Sequence, residues 1–151
     1  MVDLRNFSYT EGTMKPSEAV HEFHSKFSIP KAHPSDVKSV AFRMCLIREE
    51  FDEVLEAAGF VLTGFACDSP NFEVLDGSDC NKEHLLKELA DLTYVIYGTA
   101  EAFGWDLDEA IKRVHASNMT KLGVDGKPMY RGDGKVMKGP NYKEPYLGDL
   151  V

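Results

Sequence analysis

The sequence predicts an all-α protein, an antiparallel helix bundle with an extended C-terminal tail, from three observations. Apolar residues recur at helical spacing through two long stretches, Val40 to Ala58 and Leu85 to Phe103. Each stretch carries an acidic motif on one flank, Glu49-Glu50-Phe51-Asp52-Glu53 in the first and Glu88-Leu89-Ala90-Asp91 in the second. After Leu122 the periodicity stops and turn signals replace it: Asp125-Gly126-Lys127-Pro128, Asp133-Gly134-Lys135 and Gly139-Pro140-Asn141-Tyr142.

Taken in order, residues 1–15 carry no periodic signal and read as a loosely held leader. A short helix is predicted from Pro16-Ser17 to about Phe27, with Ala19, Val20, Phe23 and Phe27 apolar and Pro30 and Pro34 stopping it. His21 and His24 lie on or beside that apolar stripe. Ser35 or Asp36 caps the first long acidic helix, and Gly59 ends it. Residues 59–81 form a connection too long to be structureless in a compact domain, so Phe60–Phe65 and Phe72–Leu75 are expected to pair as a hairpin or lid. The second acidic helix spans Lys82 to Phe103 and breaks at Gly104-Trp105. Asp106 with Glu109 opens a third long helix to about Leu122, with Asn118 and Lys121 in its last turn. A short hairpin is expected around Gly132–Gly134.

Helical angles decide whether the acids can meet. At 100° per residue, Val40, Met44, Ile47, Phe51, Val54, Leu55 and Ala58 share one core stripe, and Glu50 and Glu53 lie roughly 80° and 140° to one side of it. In the second helix Leu85, Leu89, Leu92, Ile96, Ala100 and Phe103 form the stripe, with Glu88 and Asp91 roughly 60° and 120° off it to the same side. For an antiparallel pair both acidic flanks emerge together, each roughly 10 Å from the connection. Unit charges about 6 Å apart repel by roughly 3 kcal/mol per pair at an effective dielectric near 20, so such a cluster needs raised pKa values or bound metal. All-oxygen ligation selects Mg²⁺, Mn²⁺ or Ca²⁺ rather than zinc. The spelling of the motifs fits solvent-facing glutamates as well; matching flank and height put the metal reading on an equal footing.

The 151 residues suffice for one domain with a real core, and no apolar run is long enough to span a bilayer. No secretory signal precedes the first helix, and Cys45, Cys67 and Cys80 cannot all pair, so a reducing cytoplasm is the expected setting. Cys67, Cys80 and His84 lack a C-x-x-C pair and are not read as a zinc site. A formal charge of −8 argues against a nucleic-acid partner. The bases Lys127, Arg131, Lys135, Lys138 and Lys143 gather instead in the tail. Acids in the helices with bases in the tail suit a small polyanion.

Glu49-Glu50-Phe51-Asp52-Glu53 followed by Glu88-Leu89-Ala90-Asp91 resembles the E-E-x-x-E and E-x-x-D signature of the MazG-like all-α NTP pyrophosphatase superfamily. Val20-His21-Glu22-Phe23-His24, Tyr94 with Tyr97-Gly98, Val114-His115-Ala116-Ser117-Asn118 with Lys121, and Asp133-Gly134-Lys135 with Lys138 resemble its dimeric dUTPase-like and phage-type branch. The resemblance covers roughly residues 17–145. It implies Mg²⁺-dependent hydrolysis of a nucleoside triphosphate to monophosphate and diphosphate, with Mn²⁺ as a substitute, two or more ions per site, and a deoxynucleotide such as dUTP or dGTP as substrate. Glu50, Glu53, Glu88 and Asp91 match the metal ligands; Glu49 matches a position that binds a further metal or accepts the water's proton, and Glu49 and Glu50 are the catalytic candidates. Asn118, Lys121, Lys135 and Lys138 match sugar or phosphate contacts, and His21 and His24, with Phe27, are base-pocket candidates. The family is oligomeric, which implies a homodimer or homotetramer. Two other readings stand beside this one: a non-catalytic acidic helical metal-binding module, and phosphoribosyl-ATP pyrophosphatase, which shares the helices but not the motifs from Asn118 to Lys138.

Overall fold

The computed structural model describes residues 14–66, 69–75 and 80–151; residues 1–13 of the expected leader, Cys67 and the Asp76-Gly77 turn lie outside them. The order of elements is α1 (Pro16–Lys26), α2 (Val37–Ala57), β1 (Phe60–Ala66), β2 (Ser69–Val74), α3 (Lys82–Phe103) and α4 (Leu107–Met119). The fold is thus the all-α type expected, with one small hairpin. The chain divides into two compact units, Met1–Phe103 and Gly104–Val151. Each is described by itself.

The helix ends of the first unit follow the local chemistry. Glu18 Oε2 accepts from the Lys15 backbone N–H at 3.0 Å to open α1. At the other end Ile29 N donates to His24 O at 2.9 Å and Ser28 N to Ser25 O at 3.3 Å, the paired bonds of a Schellman close, with Ser28 itself at φ 53°. Asp36 caps α2 by accepting from Lys38 N, and Gly59 supplies the positive φ, 82°, that ends it. The hairpin expected between the long helices forms. It runs antiparallel with Phe60 opposite Val74, a register shift falls between Leu62 and Gly64, and Leu75 N closes its base on Gly59 O at 2.9 Å.

The most extensive interhelical contact is α2 on α3, followed by α1 on α3. Glu53 hydrogen-bonds Glu88, Glu50 feels the charge of Asp91, and Arg43 reaches Gly98. Each step back along α2 is matched by an equal step forward along α3, so the pair is antiparallel. α1 lies against α3 through Phe23, whose ring meets Tyr94 edge-on at 5.8 Å, and Tyr94 Oη donates to Ala19 O at 3.3 Å. Ala32 N adds a bond to Ala102 O at 2.8 Å.

The buried face follows the predicted stripe only in part. Ala100 is buried on it and Ile47, Phe51, Val54 and Leu92 are half-buried, but Met44, Leu89 and Ile96 are 47%, 45% and 39% exposed, whereas Arg43, Ala57, Glu88, Tyr97, Gly98 and Ala102, off the stripe, are buried. The cause is helix number. With three helices in this unit, α2 and α3 can cover only one face of each other, and the absent side chain of Gly98 lets His24 of α1 and Arg43 of α2 come close to α3. Met44, Leu89 and Ile96 stay open in the single chain.

In the second unit Asp106 Oδ1 accepts from Glu109 N at 2.9 Å, the cap expected for α4, which ends at Met119 rather than Leu122. The tail doubles back on this helix. Ser117 Oγ donates to Lys143 O at 2.6 Å, Lys143 N donates to Thr120 Oγ1 at 2.8 Å, and Arg113 clasps Asp149 while donating to Tyr146 O. Tyr130 bridges Val136 around Gly134 at φ 84°, which is the short hairpin expected there. At Gly139 the tail crosses the chain end of α4 so closely that a Cβ would stand 2.4 Å from Leu122 O. Backbone cannot yield as a flexible side chain would. Gly139→Ala is therefore expected to destabilise the protein by about 1–3 kcal/mol, the usual range for overpacking. Thermal unfolding, with amide exchange at Lys143, checks this: unchanged protection would show the crossing is loose.

Candidate metal centre

Three carboxylates meet in the α2–α3 seam. One oxygen from each of Glu50, Glu53 and Glu88 lies within 4.8 Å of the others, although these residues come from two helices. Glu88 is 2% exposed and is among the largest fully buried side chains of the described residues. Glu50 Oε2 is buried without a hydrogen-bond partner.

The protons follow from the crowding. Burial pushes the Glu50 carboxyl above its ordinary value, and Glu53, Asp91 and Glu88 push it further, with Lys87 opposing. Glu53 is also raised, first by its hydrogen bond to Glu88 and then by loss of water and the charges of Glu88 and Glu49. Glu88 is lowered, chiefly by its hydrogen bond from Lys87. Of this pair, Glu53 is the weaker acid and Glu88 the stronger.

Two basic side chains not singled out for this role in the sequence complete the arrangement. Lys87 Nζ sits 2.9 Å from Glu88 Oε2 and 2.8 Å from Asp91 Oδ2, and His84 Nε2 is 2.7 Å from Glu88 Oε1. Lys87 is raised well above the ordinary lysine range, first by Asp91 and then by Glu88. Both were visible in spacing, since His84 precedes Glu88 and Lys87 precedes Asp91 by one helical turn. An ammonium thus occupies part of the electrostatic role of a cation. Asp91, expected as a fourth ligand, turns to Lys87 and does not share the close oxygen cluster, although its charge reaches Glu50. Glu49 is exposed and its charge reaches Glu53.

The two histidine candidates of α1 separate. His21 is exposed, with Nδ1 2.9 Å from Glu101 Oε1, an oxygen shared with Lys31 Nζ at 2.6 Å. His24 is 7% exposed, and its buried Nδ1 has no hydrogen-bond partner. Phe27 is 66% exposed and stacks on Phe23 with centroids 4.4 Å apart. Asn118, Lys121, Lys135 and Lys138 all belong to the second unit. Asn118 and Lys135 are exposed there, and Lys138 Nζ lies 4.2 Å above the Tyr142 ring and 3.7 Å from Glu144. Cys45 and Cys80 are exposed free thiols.

An unpartnered buried carboxylate oxygen, three converging acids and an all-oxygen donor set fit a hard divalent cation. The comparison with known families agrees. The phosphoribosyl-ATP pyrophosphohydrolase family matches residues 20–118, from the first helix through both acidic helices to the end of α4, and the chain belongs to that family. The family is part of the MazG-like all-α NTP pyrophosphatase superfamily, whose members are metal-dependent pyrophosphohydrolases, hydrolases of phosphoric anhydrides. No curated protein matches the chain. No helix among the described residues is long and apolar enough to cross a membrane.

Two outcomes are expected of the metal-free protein. Glu50 binds its proton more tightly folded than unfolded, so stability is fully present below pH 4.5, the ordinary value, and declines as pH rises through the raised folded value. Glu50→Gln removes that decline. Its Tm should exceed wild type at pH 7 by about 2–4 °C, the equivalent of roughly 1 kcal/mol at this size, with the difference vanishing in acid. Added Mg²⁺ or Mn²⁺ should raise the wild-type Tm at pH 7, by about 2.7 kcal/mol of stability at a hundredfold excess over Kd, and much less at pH 4.5. Lys87→Met should enlarge that shift by removing the competing ammonium, and an equal shift at both pH values would place the ion elsewhere.

Proposed function

We propose that the protein is a Mg²⁺-dependent nucleoside triphosphate pyrophosphohydrolase that converts a (d)NTP and water to (d)NMP and diphosphate, with a deoxynucleotide, dUTP or dGTP, as substrate. The observation that carries the reading is the Glu50, Glu53 and Glu88 cluster, built from the two helices that the family match spans. A second reading, hydrolysis of phosphoribosyl-ATP, is favoured by the name of the matched family and by its ending at Asn118, short of the basic tail. The bond broken is the same anhydride type in both.

Glu50, Glu53 and Glu88, with Asp91 released from Lys87, would hold the metal, Mn²⁺ serving as a substitute and two or more ions meeting the combined charge. Bound cations supply neutralisation of phosphate oxygens and acidification of water. The chain's own residues do the rest. Glu49, exposed beside the cluster, takes the proton of the attacking water, with Glu50 as the alternative acceptor. The water oxygen bonds to phosphorus, the bridging P–O bond breaks, and its electron pair leaves with the departing group.

His21 and His24 are proposed to contact the nucleoside end. Asn118, Lys121, Lys135 and Lys138 are proposed to bind sugar or phosphate on charge and hydrogen-bonding type. The open apolar face, with Leu86 69% and Met44 47% exposed, supports a homodimer or homotetramer.

A panel of (d)NTPs and phosphoribosyl-ATP with Mg²⁺, assayed for diphosphate and monophosphate, tests the reading; no diphosphate from any of them would leave a non-catalytic metal module. Glu53→Gln and Asp91→Asn are each expected to cut turnover more than tenfold with helical dichroism intact. Lys135→Ala should lower kcat/KM by about 1.5–3 kcal/mol without reordering base preference, as for a lost hydrogen bond to a charged group.

A further inference from the structure

Both oxygens of Glu88 are engaged within the chain itself. Lys87 Nζ donates to Oε2 at 2.9 Å and to Oε1 at 3.1 Å, and His84 Nε2 stands 2.7 Å from Oε1. The same ammonium reaches Asp91 Oδ2 at 2.8 Å, so one side chain holds both acids that α3 brings to the cluster. Glu50 and Glu53, across the seam on α2, also feel its charge. One ammonium thus stands among four carboxylates. For Glu88 and Asp91 to ligate Mg²⁺, their oxygens must come to about 2.0–2.1 Å from the ion, and a second positive charge held on the same oxygens opposes this. Lys87 has to turn away when α3 ligates.

Its tether and its exposure limit where it goes. Lys87 is 60% exposed and Asp91 42%, so this edge of the cluster opens to solvent, while Glu88, 2% exposed, closes the floor. The ammonium rides on a flexible four-carbon stem rooted beside the ligands it leaves. An anion that joins the cation enters from that open edge, within reach of the displaced ammonium. Phosphate oxygens are suited to both partners, since they bridge to a hard cation and accept from an ammonium at about 2.7–2.9 Å. We propose that Lys87 is a phosphate-binding residue of the loaded site: it neutralises Glu88 and Asp91 in the free protein, yields them to the cation, and then donates to the phosphate chain that the cation holds. The inference rests on the phosphoric-anhydride reading above for the identity of the anion. Lys121, Lys135 and Lys138 belong to the second unit, whereas Lys87 is set at the acids by the helix that carries them. Glu83, exposed and one helical turn back, is the rival acceptor along α3. A lysine that retired to Glu83 would give way to the cation without touching the anion.

Binding separates these outcomes without recourse to turnover. Calorimetry on the full chain measures Mn²⁺ alone, then inorganic diphosphate at saturating and constant free Mn²⁺, for wild type and Lys87→Met. Opposite changes are expected. Mn²⁺ should bind Lys87→Met about tenfold more tightly, because the competing charge is gone, and diphosphate about tenfold more weakly, as for one lost hydrogen bond between charged groups. Any other pattern overturns the proposal: tighter Mn²⁺ with diphosphate unchanged would show that Lys87 only leaves, weaker binding of both would show a purely structural bridge, and a wild type that takes Mn²⁺ but no diphosphate would show no anion site. Should Lys87→Met lose its helical dichroism, Lys87→Gln keeps an amide donor for Glu88 and must show the same opposite changes. Diphosphate bound in this way, with none released from the substrate panel, would mark failure of the catalytic reading alone.

Discussion

The first unit depends on one constraint: α2 and α3 approach through a seam whose close contacts are small residues and whose remaining places are taken by charge. Ala57, Gly98 and Ala102 are buried along these helices, and Arg43, Glu50, Glu53 and Glu88 are carried inward with them. A pair of helices stabilised only for stability would place leucine there. Burying Glu88 at 2% exposure is tolerable because Lys87 donates to it, His84 Nε2 stands 2.7 Å from Oε1 and Glu53 hydrogen-bonds it. Glu50 Oε2, lacking such help, is where the seam remains unsatisfied.

That residual frustration links packing to chemistry. A cluster with raised carboxyls at Glu50 and Glu53 and a lowered one at Glu88 is a set of groups pushed apart in acidity by a shared low-dielectric site, a pattern common where metals or protons are handled. Lys87 gives the arrangement a way to exist without metal, since its ammonium bridges Glu88 and Asp91. The chain's family, the phosphoribosyl-ATP pyrophosphohydrolases, is one of hydrolases that act on phosphoric anhydrides.

The second unit is organised by hydrogen bonding rather than by an apolar core. Ser117, Thr120 and Arg113 on or beside α4 hold the returning tail at Lys143, Tyr146 and Asp149, and Gly139 admits the crossing. The basic residues of this segment are therefore attached to a defined scaffold. Lys138, over Tyr142 and near Glu144, is already engaged within it.

The sequence by itself determined the local features: helix bounds at Asp36, Gly59, Asp106 and the turn at Gly134, the hairpin between the long helices, and two acidic motifs on antiparallel helices. These are legible because caps, glycines of positive φ and i, i+3 spacing act within a few residues. Only the tertiary structure decided which helix face is inside. Counting angles put Met44, Leu89 and Ile96 on the inner stripe together with Ala100, but Ala100 is buried while those three are left open. Likewise Glu88 moved from flank to centre, Lys87 and His84 entered the acidic site, and Arg43 and His24 met across Gly98. Burial of a charge is settled by its neighbours in space, and periodicity along one helix carries no information about the partner that will face it.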